Sequence, residues 1–369
     1  MNDNTERRML ALLDFVEDNR TSMERYPRQL LPAIRSIAAG RFRIDEYRPR
    51  YVRPPIVSRG WADRFARYCA YPAQARKEHA DFFHVVDHGY AHLLSVLDSS
   101  RTVVTVHDLI PLLQANGELG SRVSHPLAAF SARFLRKARA IITISENTKK
   151  DVSRLLGIDP GRIHAVHMGL GEEFRPTPGP KEELRRRVGL PAEGGPVILV
   201  SGRQFYKNQA TSVRVLARVI EMGHRNAILA CLSGPGAEAE TLAAQLGIEN
   251  RLVRLKGLSE EQLVTLYSAA DCLLFPSTYE GFGWPPSEAM ACGLPVVCSN
   301  AAALPEVVGS AAVVSEPMDV EGHARGIDRI ITDPAFRDGM ISRGIAQAAR
   351  FSWEACARGT LSVYEGLSR

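Results

Sequence analysis

The chain has 369 residues, of which 45% are hydrophobic and 24% charged, and its net charge is +5. This length is typical of two domains, and the balanced composition excludes the disordered and fibrous classes of protein. No apolar run reaches the roughly 18–20 residues of a membrane-spanning helix, and the polar segment Met1–Glu6 does not resemble a signal peptide. Six cysteines without a CxxC pair indicate a reducing compartment, so we predict a cytoplasmic protein.

Short β-branched runs alternate with helical patterns in the first half of the chain, as in a parallel sheet covered by helices. We therefore predict an N-terminal Rossmann-like domain at 1–175. Its predicted strands are Met9–Phe15, Phe82–Val86, Thr102–Val106, Ala140–Ile144 and Arg162–Val166. Its predicted helices include Pro126–Lys137 and Ser145–Leu156.

A charged stretch with several prolines and glycines, 176–195, is predicted to be an interdomain linker that contains a short helix. The alternation then restarts, which predicts a second Rossmann-like domain at 196–350 and a terminal helix at 351–369. The predicted strands are Pro196–Val200, Ile228–Leu232, Leu252–Leu255, Asp271–Phe275, Pro295–Cys298 and Ala311–Val314. The predicted helices include Gln209–Met222, Ala237–Leu246, Ser259–Ala270 and Ser287–Cys292.

The predicted fold class is thus α/β, with two doubly wound domains. Ligands of such sheets bind at the carboxyl ends of the strands, so we expect the two ligand-binding edges to face each other across a cleft.

Two glutamates, Glu280 and Glu288, bracket a glycine turn in the segment FPSTYEGFGWPPSEAMACGLPVV. Glu280 is predicted to end a strand, and Ser287 is predicted to cap a helix whose first turn holds Glu288. Backbone amides at a helix start suit phosphates and carboxylates suit hydroxyls, so this arrangement fits a sugar nucleotide. The alternative is a structural role, with Glu288 as a helix-capping residue and Glu280 as a surface residue.

A second cluster lies in the segment ILVSGRQFYKN, where Arg203 and Lys207 follow Gly202 in one loop after a strand. Two fixed cations can stabilise the charge that collects on a departing diphosphate. An arginine and a lysine after a strand are also common without such a role, so the interpretation depends on the glutamate cluster.

Histidines form the third group of candidates. His107 follows the strand Thr102–Val106, where it either contacts a substrate hydroxyl or makes a structural bond to Asp108. His84, His88 and His92 have the i, i+4 spacing of metal ligands, but no further ligand accompanies them and we predict no metal.

Missing motifs narrow the function further. The chain has no P-loop, no GxGxxG dinucleotide fingerprint and no D-x-D pair to hold a divalent metal on a diphosphate. A nicotinamide dehydrogenase is therefore disfavoured.

Together these residues resemble glycosyltransferase family 4, which contains retaining enzymes of the GT-B fold. Glu280 and Glu288 match its E-x7-E signature, and GRQFYKN resembles its diphosphate loop. The segments TVHDLIPL, LSGPG and LPEVVG follow in the family's order, so the resemblance covers nearly the whole chain. It implies a metal-independent hexosyltransferase that needs no cofactor and takes a GDP- or UDP-linked sugar, with mannose as the first candidate. The acceptor would be a glycan, a lipid-linked molecule or a natural product.

The resemblance also implies roles for single residues. Arg203 and Lys207, after Gly202, would bind the diphosphate and stabilise it as it leaves. Glu288 would bind the ribose and Glu280 the donor hexose. The terminal helix would cross back onto the N-terminal domain. Two further contacts with the donor come from the amides of Phe282 and Gly283 and from His107.

One departure from the family concerns the loop after the first strand, EDNRTSMERYPRQL, which contains no glycine where the family usually has glycines beside the phosphates. This departure keeps open the alternative of a catalytically silent sugar-nucleotide-binding scaffold. A GT-B sugar-nucleotide epimerase is a further alternative.

The stretch Arg20–Lys77 holds 14 lysines and arginines against 4 acidic residues. This excess suggests an anionic acceptor or peripheral contact with the inner face of the membrane. No nucleic-acid-binding motif accompanies the charge.

Overall fold

The computed structural model describes residues 6–55 and 57–367, so Met1–Glu6 lies outside the described residues except for Glu6. The chain divides into two compact units. The first comprises Met1–Gly169 together with Ser352–Arg369, and the second comprises Leu170–Phe351. Each unit contains a six-stranded sheet.

The strands of the first unit are β1 (Arg7–Leu12), β2 (Phe42–Tyr47), β3 (Phe82–Val85), β4 (Thr102–Val106), β5 (Ala140–Thr143) and β6 (Ile163–Ala165). Its helices are α1 (Thr21–Ala38), α2 (Arg59–Phe65), α3 (Tyr71–Ala75), α4 (Ile110–Asn116), α5 (Pro126–Ala132), α6 (Glu146–Leu156) and, at the end of the chain, α15 (Trp353–Leu367). The strands lie parallel in the order β2-β1-β3-β4-β5-β6. The inner strands β4 and β5 are fully buried β-branched runs, as expected for a sheet between two helical layers.

The edge strand β2 is not among the predicted strands. Its segment FRIDEY alternates between apolar and charged residues, so that Phe42 and Ile44 are buried while Arg43 and Glu46 are exposed. Because an edge strand can have one solvated face, it needs no continuous apolar run.

The terminal helix α15 packs against α1 within the first unit. The Tyr364 hydroxyl on this helix lies 2.6 Å from Nδ1 of His84, and Nε2 of His84 lies 2.7 Å from Oγ1 of Thr105. These three buried polar groups satisfy one another and tie the helix to strands β3 and β4.

The strands of the second unit are β7 (Val197–Ser201), β8 (Ile228–Leu232), β9 (Leu252–Leu255), β10 (Cys272–Phe275), β11 (Val296–Ser299) and β12 (Val313–Ser315). Its helices are α7 (Lys181–Arg187), α8 (Gln209–Glu221), α9 (Ala237–Gln245), α10 (Glu260–Ala269), α11 (Trp284–Ala291), α12 (Leu304–Val308), α13 (Val320–Thr332) and α14 (Pro334–Ala348). The parallel order β12-β11-β10-β7-β8-β9 reverses direction between β7 and β10. Ligands of open parallel sheets bind beside such a reversal.

The segment 176–195, predicted to be a linker, is part of the second unit. Leu184 of α7 and Val188 directly after it are buried in the core of this unit beside Leu266 and Tyr267. The charges that suggested a linker are used internally, since Arg185 donates to Asp271 at 2.6 Å.

Candidate active site

The loop after β7 is shaped by a glycine that no other residue could replace easily. Gly202 adopts φ +86°, and a Cβ there would lie 2.9 Å from Cγ and Cε of Lys207. Beyond it, Arg203 is exposed, and within the described residues it has no ion-pair partner. This loop therefore presents a free guanidinium beside the strand reversal.

Lys207 forms a largely buried ion pair with Glu280. Its Nζ lies 2.8 Å from Oε1 of Glu280, and the two side chains are only 12% and 10% exposed. The same Nζ lies 4.7 Å from the centre of the Phe275 ring. The pair thus joins the loop after β7 to the loop after β10, its neighbour in the sheet.

The glutamate segment differs from its prediction at two points. Glu280 does not end a strand, because β10 already ends at Phe275. Ser287 does not cap the helix, because α11 begins at Trp284 with Gly283 as its N-cap at φ +115°. The prolines after Trp284 fit within the first turn, where backbone N–H groups have no helical partner anyway. The Ser287 hydroxyl instead donates to the Gly283 carbonyl at 3.1 Å.

Glu288 consequently lies in the second turn of α11, where its side chain is buried. The Tyr267 hydroxyl donates to its Oε2 at 2.9 Å. Phe282 is buried as well, with its ring centre 5.4 Å from that of Phe351. Gly283 has little room, since an added Cβ would lie 2.9 Å from Leu304 Cδ2.

Two residues that the sequence reasoning missed hold these loops together. Asn208 adopts a left-handed conformation at the start of α8 and donates to the carbonyls of Pro276 and Pro317 at 3.0 and 2.9 Å. Gln209 donates to the Gly202 carbonyl and accepts from the Gly236 amide, both at 2.7 Å. The sequence feature that could have identified them is a pair of side-chain amides directly after Lys207.

In the first unit, His107 lies buried directly after β4. Its Nε2–H donates to the Val86 carbonyl at 3.0 Å, and not to Asp108 as the structural alternative had it. The other nitrogen, Nδ1, is buried without a hydrogen-bond partner among the described residues. Burial lowers the pKa of His107 to about 4, so the ring is neutral at pH 7 and Nδ1 can accept a hydrogen bond from a hydroxyl group.

A buried carboxylate pair, which the sequence reasoning also missed, lies near the same edge of the first sheet. Asp14 follows β1 and Asp87 follows β3, and Arg20 donates to Asp87. Burial and the charge of Asp87 raise the pKa of Asp14. Burial acts in the same direction on Asp87, but the charge of Arg20, the neighbouring His88 and His107 and the Gly89 amide together outweigh it and hold the pKa of Asp87 below its usual range.

The loop after β1, which contains no glycine, turns at Asn19, because this residue adopts the left-handed conformation at φ 50°. Asparagine tolerates this region better than other non-glycine residues. Helix α1 then begins at Thr21.

All three histidines at i, i+4 spacing contact protein groups, and Nδ1 of His88 lies 3.3 Å from Oδ1 of Asp87. His84 bonds to Tyr364 and Thr105, and His92 contacts Ser131 Oγ at 3.1 Å and the Arg67 carbonyl at 2.8 Å. Within the described chain, no three His, Cys, Asp or Glu side chains are grouped to hold a metal ion.

Comparison with known proteins covers both units. The model of Glycosyltransferase Family 4 matches residues 28–173, and that of Glycosyl transferases group 1 matches residues 181–347. The O-antigen chain mannosyltransferase B of Escherichia coli is 31% identical over 72% of this chain and 70% of its own length. The serotype-specific mannosyltransferase WbdA of Escherichia coli is 29% identical over 69% of this chain, which spans only 32% of WbdA.

Solved structures agree on the fold. Sucrose-phosphate synthase from Thermosynechococcus elongatus superposes with a TM-score of 0.77 at 20% identity, over 98% of this chain and 99% of its own. The HepE protein of Anabaena in complex with UDP and glucose gives a TM-score of 0.70 at 17% identity, over 98% of this chain and 100% of its own. The expected GT-B fold class is thus confirmed. The chain belongs to glycosyltransferase family 4, and the expected enzyme class, a hexosyltransferase, is confirmed with it.

Proposed function

We propose that the protein transfers a hexose from a nucleoside-diphosphate sugar to an acceptor hydroxyl with retention of anomeric configuration. The observation that carries this proposal is the grouping of Arg203, Lys207, Glu280 and the Gly283 turn on two neighbouring loops at the strand reversal of the second unit. Such a reversal is where open parallel sheets bind nucleotides.

The two cations of the loop after β7 would bind the diphosphate. Among the residues that the structure describes, no carboxylate pairs with Arg203, so its guanidinium is available to the phosphates. Lys207 is held by Glu280, which keeps its ammonium group fixed until a diphosphate competes for it. Cations stabilise a transition state most when they are already oriented toward the charge that develops in it.

The glutamates would bind hydroxyls of the donor. Glu288 is oriented by Tyr267 and would accept from the ribose, and Glu280 would contact the hexose. The amides of Phe282 and Gly283 would approach the sugar or the phosphates. Nδ1 of His107 in the first unit would accept a hydrogen bond from a hydroxyl of the donor sugar.

Transfer would proceed by attack on the face from which the diphosphate departs. The acceptor oxygen bonds to the anomeric carbon while the bond from that carbon to the phosphate oxygen breaks. The acceptor proton passes to the departing phosphate oxygen, which balances the step without a protein base. Arg203 and Lys207 would supply the charge compensation, so we propose that no divalent metal or other cofactor is needed.

Relatives favour mannose as the sugar, since the two named above are mannosyltransferases. The HepE structure contains UDP and glucose, so a UDP-linked donor is the second candidate beside a GDP-linked one. The acceptor would be a glycan, a lipid-linked molecule or a natural product.

A cytoplasmic location with peripheral contact to an anionic membrane is a further part of the proposal. Several arginines of Arg20–Lys77 are neutralised within the first unit, for example Arg35 by Glu46 and Arg48 by Glu24. No helix in the described part of the chain is long and apolar enough to cross a bilayer. We expect weak, salt-sensitive binding to anionic vesicles, and binding indifferent to salt would contradict it.

The test is turnover of GDP-mannose and UDP-hexoses by the wild type and by Lys207→Ala and Glu288→Ala. Both variants should lose more than a hundredfold in donor consumption, with EDTA present throughout. The matched control is Lys150→Ala, an exposed lysine of the first unit. Proton NMR of the product should show the anomeric configuration of the donor. Unchanged rates in either variant, or an inverted product, would overturn the proposal.

A further inference from the structure

Two adjoining cavities in the first unit are not used by the donor site. The smaller, about 290 Å³, is lined by the charged or polar side chains of Asp18, Arg20 and His88 and by apolar ones such as Leu109, and we call it the polar cavity. These residues follow β1, β3 and β4, so this cavity lies at the carboxyl edge of the first sheet. That edge is where parallel sheets bind ligands.

The larger cavity is an open groove of about 820 Å³ with aromatic walls, lined by Trp61, Phe65, Tyr68, Leu127 and Phe130. Trp61 is 66% exposed, Phe65 42% and Leu127 41%. A cluster of large apolar side chains at this exposure marks an interaction site on a protein surface.

The local sequence builds the wall that the two cavities share. Between α2 and α3 the helix continues through a π-helical turn, Ala66–Ala70, of a kind often found at functional sites. The ring of Tyr68 in this turn lies 4.6 Å from the ring of His92, which donates to the Arg67 carbonyl at 2.8 Å. The Tyr68 hydroxyl donates to the Leu127 carbonyl at 3.4 Å, so the wall is fixed from both sides.

Arg64 lines both cavities, and its guanidinium lies 5.6 Å from the centre of the Trp61 ring. No carboxylate pairs with it among the residues that the structure describes. The other arginines of the polar cavity are neutralised, Arg20 by Asp87 and Arg67 by Asp18. An unpaired cation thus lies where the apolar groove meets the polar cavity.

We propose that these cavities bind the acceptor and that the acceptor is an amphiphile in which a phosphate joins a long apolar chain to a sugar. The chain would lie in the aromatic groove, the phosphate against Arg64, and the sugar in the polar cavity. Leu109 lines that cavity two residues after His107, so the sugar would lie beside the loop that carries this histidine. This inference rests on the proposed transferase function, and it selects a lipid-linked acceptor over a water-soluble glycan.

The test uses decyl phosphate as the probe, below its micellar concentration and without donor. Binding is followed by calorimetry and by the fluorescence of the exposed Trp61. Decyl maltoside offers the chain without the charge, and inorganic phosphate offers the charge without the chain. The variants are Trp61→Ser with Phe65→Ser, and separately Arg64→Gln. Leu246→Ser, at an exposed leucine of the second unit, is the control for lost apolar surface.

We expect decyl phosphate to bind at least tenfold more tightly than either other probe and to shift Trp61 emission to shorter wavelength. The serine variant should lose at least tenfold in affinity, and Arg64→Gln should make decyl phosphate and decyl maltoside equal. Equal affinities for the three probes in the wild type, or unchanged binding of decyl phosphate in the serine variant, would overturn the inference. Because no donor is present, these results are independent of turnover, and failure of the transferase proposal would show only in donor consumption.

Discussion

The Nζ atom of Lys207 has both a structural role and a proposed functional role. Its ammonium group neutralises the buried carboxylate of Glu280, and we propose that the same group binds the departing diphosphate. Removing one partner of a buried ion pair leaves an uncompensated charge, which is costlier than removing both. The two tasks can therefore be separated by a pair of substitutions.

Lys207→Met should lower the free energy of unfolding by roughly 3 kcal/mol, because Glu280 stays buried without its cation. The double variant Lys207→Met with Glu280→Gln should recover most of this loss but should not recover donor turnover. Urea denaturation and donor consumption measure the two effects. Turnover in the double variant would contradict the proposed role of Lys207.

Tyr267→Phe should raise the KM for the donor about fivefold with little change in kcat, since it removes one hydrogen bond that orients Glu288, about 1 kcal/mol. Tyr47→Phe is the matched control, because that hydroxyl donates to Gln74 at 3.2 Å in the first unit. Equal KM values in the two variants would show that Glu288 does not depend on Tyr267.

At the scale of single residues, the sequence singled out charged residues that the structure brings together, but it did not predict which of them contact each other. The glutamates and cations were found because their spacing in a strand–loop–helix pattern is itself informative. The pairing of Lys207 with Glu280 was not predicted, since it joins positions 73 residues apart through the sheet. Asp14 and Asp87 were missed for the same reason, because only the neighbouring positions of β1 and β3 bring them together.

The helix α11 is the element that decides the geometry of the glutamate loop. It begins three residues before the predicted Ser287, because Pro285 and Pro286 are compatible with its first turn. The start depends on Gly283, whose left-handed conformation and contact with Leu304 leave no room for a side chain.

Gly283→Ala should therefore destabilise the protein by roughly 2 kcal/mol and weaken donor binding about tenfold, because the start of α11 must shift. Gly247→Ala is the matched control, with φ +66° and open space around the added Cβ. It should cost only about 1 kcal/mol from the backbone and leave donor binding unchanged. Similar donor affinities in the two variants would contradict this account.

The hydrophobic pattern predicted the bounds of three strands, although only β4 among them is buried along its whole length. Thr102–Val106, Ile228–Leu232 and Leu252–Leu255 have the bounds that were predicted. The pattern failed at β2, where one face is solvated, and the charged composition around α7 suggested a linker although Arg185 of this helix pairs with Asp271 within the second unit. Local composition cannot distinguish such paired charges from those of a linker.

Across the whole molecule, three buried histidines of the first unit set a common response to acid. Burial lowers the pKa of His84 to about 3 and those of His92 and His107 to about 4, whereas the unfolded chain protonates near 6.5. Each ring therefore contributes stability above pH 6.5 that is lost as the pH falls toward 4.

The free energy of unfolding should fall as the pH is lowered from 6.5 to 4.5. Each histidine should add about 1.4 kcal/mol per pH unit to the slope of this free energy against pH. His92→Gln keeps a donor for the Arg67 carbonyl and should reduce the slope by one such increment. Asp14, whose raised pKa acts in the opposite direction, is common to both proteins and cancels in the difference. Identical slopes in thermal or urea unfolding would contradict the buried neutral state of His92.

The central claim is that the second unit binds a nucleoside diphosphate through Arg203 and Lys207 without a metal. The direct measurement is thermal unfolding of the wild type and of Arg203→Ala with GDP, UDP, ADP and TDP, each with and without EDTA. Arg225→Ala, an exposed arginine of the same unit, is the control. We predict that one nucleotide raises the Tm of the wild type and the control by several degrees regardless of EDTA, and that Arg203→Ala loses most of this shift. No shift with any nucleotide, or a shift abolished by EDTA, would contradict the account.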